Sequence, residues 1–142
     1  MPKAKKTLAK VVDDCAVALQ KLVRVKAAVA ARANGMVQCV TCNQWGHYKE
    51  MDGGHYFSRK DKAVKLLEEN IHPQCKGCNL KMGHGDTKVT ESYRRFMVDT
   101  YGEGMLAELE TMAWGVAKFD RSDIEQLTKD IQAKIRELEK QL

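Results

Sequence analysis

Four cysteines limit what this chain can fold into more than any other feature. They come as two pairs, Cys39-Val-Thr-Cys42 and Cys75-Lys-Gly-Cys78, separated by 32 residues. A tight turn brings both sulfurs of such a pair to one side, and two turns complete a tetrahedral thiolate shell. That shell suits Zn2+ and leaves no open coordination position. A redox role fits one pair alone; two pairs point to a structural metal. The fifth cysteine, Cys15, stands in VVDDCAVAL at an apolar helical position and reads as a small core residue. An odd cysteine count argues against disulfides, and so does the start MPKAKKTLAKVVDD, whose Lys and Asp interrupt any signal-peptide core. No apolar run approaches the roughly 20 residues of a bilayer crossing. The expected location is therefore cytoplasmic, with no membrane partner.

The 32-residue gap is longer than a minimal zinc ribbon needs, so something folded must lie within it. Residues 36–58 contain short strand-like runs, MVQCV and HYKEMDGGHYF, around the first cysteine pair and a Gly-Gly turn. Residues 60–69 read as a short helix. On either side the pattern is helical. Leu8, Val11, Val12, Cys15, Leu19, Leu22 and Val23 recur at three and four within residues 7–33, and Asn34-Gly35 is the stop. From Thr87 an amphipathic helix runs to Gly102 and a second to Gly115. In the last segment Ser122 and Glu125 match a capping box. Ile124, Leu127, Ile131, Ile135, Leu138 and Leu142 follow at helical spacing, as a packing face or a two-stranded seam. The expected fold is α+β: a small zinc-stapled core at 36–86 between a basic N-terminal helix, 1–35, and a helical C-terminal region, 87–142. Within the latter, 121–142 is the candidate dimerisation helix.

Charge is uneven. The net value is +5, yet residues 1–34 hold eight Lys and Arg against two Asp, and the remainder is close to neutral. Contact with a polyanion explains that excess, with Lys21, Arg24 and Lys26 as candidate DNA contacts; a solvated helix face explains it too.

Apart from the cysteines, the centre of the chain reads DGGHYFSR, then NIHPQ, then Asn79 directly after Cys78. This order resembles the HNH, or ββα-metal, nuclease motif, in which two CxxC pairs often staple the active-site unit. The resemblance implies a zinc-stapled ββα core in which His55 is the general base, Asn70 orients it across the loop, and Asn79 is a ligand of a catalytic divalent ion. A neutral imidazole suits water activation, and Mg2+ or Mn2+ suits the charge that develops on phosphate. His84, about one helical turn beyond Asn79, is a further ligand candidate, and Arg59 a candidate clamp on the scissile phosphate and a DNA contact. One position departs from the pattern: the residue before the base, commonly a metal ligand, is Gly54. Asp52 or His72 is the candidate replacement, His72 otherwise bonding the loop, or the metal is held by few protein ligands. His47 is a turn residue, or a zinc ligand if one thiol is unused.

Over roughly residues 36–110 the chain resembles, more narrowly, the NinG/Rap family of lambdoid phage recombination proteins. DGGHYFSR, NIHPQCKGCN and the Tyr101-Gly102 helix junction carry that resemblance. It implies a metal-dependent, structure-specific endonuclease that cuts Holliday junctions and D-loops in the host cytoplasm, as a homodimer matching the two-fold symmetry of a junction. The alternative is a zinc-stapled DNA-binding accessory protein without catalysis, for which Gly54 is the main argument and His55 the main objection.

Overall fold

The structure, a computed structural model, describes residues 4–58 and 60–142. Its axis is helix α1, Leu8–Ala31. Thr7 caps it, its side chain accepting from the Lys10 N–H, and Arg32, Asn34 and Gly35 turn the chain through positive φ at the expected stop. Two short antiparallel hairpins follow. In the first, β1 (Met36–Gln38) pairs with β2 (Trp45–His47) around the first cysteine turn. In the second, β3 (Asp52–His55) pairs with β4 (Ile71–Gln74), with Gly54 facing His72 and His55 facing Ile71. Helix α2 (Lys76–Gly83) leaves directly from β4. Helices α3 (Thr87–Tyr101) and α4 (Glu103–Ala113) meet at Gly102, and α5 (Arg121–Glu139) closes the fold. The fold is thus α+β, with five helices and two small antiparallel sheets among the described residues.

The helix read as a basic arm is central. Val11, Cys15, Leu19, Leu22 and Val25 of α1 share one buried cluster with Val37 of β1, Ile71 of β4 and Ile124, Ile131 and Ile135 of α5. Cys15, fully buried there, is the core residue expected. Ile124, Ile131 and Ile135 of the stripe read as a dimer seam are therefore covered by α1 of the same chain, while Leu127 and Leu142 stay exposed; burying each such isoleucine contributes roughly 1.5–3 kcal/mol. A second cluster joins Tyr93, Met97, Leu106 and Leu109, with Tyr56, Phe57 and Leu67 packed against it.

Three local expectations change. Helix α5 begins at Arg121, capped by Asp120 accepting from the Asp123 N–H at 3.1 Å, so Ser122 lies inside the helix and the Ser122–Glu125 box does not form. Residues 60–69 make two 3-10 turns, Lys62–Val64 and Glu68–Asn70, in place of a helix. Side chains from outside have claimed the carbonyls an α-helix would use: Val64 O accepts from Asn70 Nδ2, and Lys65 O from His55. The Gly53-Gly54 pair, read as a turn, lies inside strand β3, opposite Pro73 and His72 of β4; the Pro73 carbonyl accepts from the Val40 N–H at 3.0 Å and so ties the first cysteine turn to the second hairpin.

Candidate functional site

The four cysteines converge as their spacing predicts. Cys39 follows β1, and the turn to Gln44 is closed by Cys39 N–H to Gln44 O at 2.8 Å. Cys75 caps α2, its sulfur accepting from the Cys78 N–H at 3.3 Å. All four sulfurs lie within 4.8 Å of one another, and Cys42 Sγ is 3.9 Å from Cys75 Sγ. Four ligands about 2.3 Å from one ion would place their sulfurs about 3.8 Å apart, so the cluster is sized for an ion such as zinc. Burial pushes Cys78 up to about 12. Burial raises Cys39 as well, but the Cys75 N–H and the Thr41 hydroxyl outweigh it and hold that thiol at about 6. His47 is no part of the cluster. It ends β2 opposite Met36, lies against Tyr48 with ring centroids 4.8 Å apart and accepts from the Lys49 N–H, so it is a strand residue and not the turn residue expected.

The second cysteine turn fixes the start of α2, and α2 forms one wall of an open cleft of about 940 Å³ beside β3. Asp52, His55, Asn79 and His84, four of the residues singled out in the sequence, line that cleft. Asp52 Oδ2 accepts from Asn79 Nδ2 at 3.0 Å, and Oδ1 pairs with Lys76 Nζ at 2.8 Å. Burial raises the Asp52 carboxyl, but Lys76, Asn79 and the nearby Arg24 outweigh it and keep it below the usual carboxylate range. His84 is exposed at the end of α2 and its N–H donates to the Leu80 and Lys81 carbonyls.

His55 Nε2 lies 3.0 Å from Lys65 O. A carbonyl only accepts, so Nε2 carries the proton and the neutral ring has its lone pair on Nδ1. Asn70 acts differently from the expectation. It is fully buried, receives the Phe57 N–H at 2.8 Å, and donates to Phe57 O at 3.0 Å and Val64 O at 3.2 Å. It staples the 57–70 loop, and that loop presents the Lys65 carbonyl that orients His55. Asn70 thus bears on His55 only through that loop and does not line the cleft. His72 is not a substitute ligand: its two nitrogens face the Tyr93 and Tyr101 hydroxyls at 3.1 and 2.7 Å.

Gly54 has a steric reason. A Cβ there would fall 2.0 Å from Gln74 Oε1 and 2.9 Å from Gln74 Cβ, and one on Gly53 would fall 2.6 Å from the Gln20 Cα of α1. No side chain fits before His55 in this backbone without displacing Gln74.

The basic candidates on α1 are engaged within the chain. Arg24 donates to Gln20 O, Tyr48 O and Met51 O at 2.9–3.1 Å, which makes it a clamp between α1 and the segment before β3. Lys21 pairs with Glu139 at 3.6 Å and Lys26 with Glu68. Arg59 lies outside the described residues. The cleft carries positive charge of its own: Arg24, Lys49 and Lys76 line it against one carboxylate, Asp52, among the described residues. Lys76 was legible as a residue three before Asn79, on the same helix face; Lys49 had no sequence signal.

The family described as Bacteriophage Lambda NinG protein matches residues 2–141. The chain belongs to the NinG family. That match takes in α1 and α5, which the resemblance read over residues 36–110 did not reach. No curated protein and no solved structure matches the chain. Within this NinG-family fold, no helix among the described residues is long and apolar enough to cross a membrane.

Proposed function

We propose that this NinG-family chain is a metal-dependent endonuclease acting on branched DNA, its fold held by one Zn2+ on Cys39, Cys42, Cys75 and Cys78. One observation carries the reading: a single basic cleft gathers His55, in a set tautomer, with the Asp52–Asn79 pair on β3 and α2. The order β3, loop, β4, α2 is also the order a ββα nuclease core requires.

Asp52, Asn79 and His84 offer a carboxylate, an amide oxygen and an imidazole, a donor set that fits Mg2+ or Mn2+ with several waters retained. Such an ion, when bound, supplies charge stabilisation at the phosphate and the leaving oxygen. The chain's own residues do the rest. His55 Nδ1 takes the proton from the attacking water, the Lys65 carbonyl stabilises the imidazolium through Nε2–H, and Lys76 and Lys49 draw the phosphate backbone into the cleft.

The test is a labelled four-way junction beside a linear duplex, incubated with protein and Mg2+, Mn2+ or chelator. Cleavage should require metal and favour the junction. His55→Ala should lose at least about 100-fold in rate with junction affinity unchanged. Protein that binds the junction and cuts with neither metal would instead be a zinc-stapled DNA-binding accessory; protein that binds no DNA would defeat both readings.

A further inference from the structure

His72 is buried on β4, directly across the hairpin from Gly54, and it does not line the cleft. Its surroundings fix the direction of every hydrogen bond around it. Tyr93 Oη lies 2.6 Å from the Gly54 carbonyl, which only accepts, so the Tyr93 hydroxyl spends its single proton there. At its 3.1 Å contact with His72 Nδ1 the Tyr93 oxygen must then accept, which puts a proton on Nδ1. The ring is neutral, because burial drives it down to about 4. Nε2 therefore holds the lone pair and receives the Tyr101 hydroxyl at 2.7 Å. The edges of Phe96, Tyr93 and Tyr101 enclose the ring, with Phe96 4.8 Å away between centroids.

We propose that His72 is a positioning residue for His55, acting through the one-way chain Tyr101 → His72 → Tyr93 → Gly54 carbonyl. The proposal rests on the endonuclease reading, since only there does the placement of His55 have a catalytic meaning. The Gly54 carbonyl and the His55 N–H belong to one rigid peptide plane. Pinning that carbonyl from behind sets the plane from which the His55 side chain leaves. Strand β3 needs such a pin, because it is four residues long, has one neighbouring strand, and carries two glycines before the base. The Tyr101-Gly102 junction gains a purpose as well: ending α3 at Tyr101 brings its hydroxyl to Nε2.

The experiment uses full-length, zinc-loaded protein. Nitrogen NMR should show His72 as the Nδ1–H tautomer, and three-bond couplings should show one His55 side-chain rotamer. Tyr93→Phe and His72→Leu should average that rotamer and lower kcat on a junction on the order of ten-fold, with KM unchanged. His72→Asn, whose amide N–H takes the place of Nδ1–H, should recover most of the rate. Tyr101→Phe, at a half-buried position, should show a smaller loss in the same direction. An Nε2–H tautomer in cutting wild-type protein would overturn this proposal alone. So would Tyr93→Phe and His72→Leu with unchanged kcat and unchanged His55 rotamer. Wild-type protein that cuts nothing would overturn the endonuclease reading, and with it the role given to His72, whatever the tautomer.

Discussion

Acid should weaken this fold through His72, by an amount the structure sets. The buried ring titrates at about 4, against roughly 6.5 in an unfolded chain. Between those values the unfolded chain binds a proton that the folded chain refuses. Stability is therefore full above about pH 6.5 and falls as pH drops toward 4. At 1.36 kcal/mol per unit, the loss approaches roughly 3 kcal/mol at pH 4, a large share of the 5–15 kcal/mol typical of a domain. The side chains enclosing the ring do not titrate in that window: Phe96 is apolar, and burial raises both Tyr93 and Tyr101. Glu69 and Glu68 act on Tyr101 and are shared by any His72 variant. Urea unfolding from pH 7 to 4.5 would compare wild type with His72→Asn, which keeps a donor and does not titrate. Protonation of the cysteine cluster releases metal from both proteins alike, so the informative quantity is their difference. Relative to the variant, wild type should lose roughly 2–3 kcal/mol across the range. A difference that is the same at pH 7 and pH 4.5 would refute the reasoning.

Further expectations concern the staple, the hairpin and α5. Purified protein should contain about one zinc per chain by elemental analysis, and Cys75→Ser, whose hydroxyl can still cap α2, should abolish it and lower Tm sharply; a folded, active sample without zinc would count against the staple. Gly54→Ala should destabilise by about 1–3 kcal/mol in urea titration, because its Cβ meets the fully buried Gln74; Gly54→Asp should likewise fail to tighten Mn2+ binding by calorimetry. Ile131, only 5% exposed against α1, should respond to Ile131→Asp by losing at least the roughly 2–5 kcal/mol of emptying such a site. Light scattering with a thermal melt would show unfolding of that variant; a folded variant of half the wild-type mass would restore the dimer seam.

Some of this was written in short stretches of sequence. The CxxC turns are local, since four residues suffice to aim two sulfurs at one point, and the second pair repeats the device. The long helices were legible from their spacing and stops, because a helix bonds to itself over four residues. His55 and Asn79 were legible together because the resemblance places them at fixed distances from those turns, and Asp52 only as an alternative to His72. What the sequence did not hold was the partner of each side chain. Arg24, read as a DNA contact, is spent on the carbonyls of Tyr48 and Met51, more than twenty residues away. The stripe on α5 has the same pattern whether it meets another chain or α1, and only the folded chain brings α1 against it. The acceptor that orients His55 is the main-chain oxygen of Lys65, a group every residue carries and no side chain advertises. His72 differs from a metal ligand only in what surrounds it, two hydroxyls on α3 that arrive from 21 and 29 residues further along. Spacing fixes groups that bond to near neighbours; groups that bond across the fold take their chemistry from whichever surface the core packs against them.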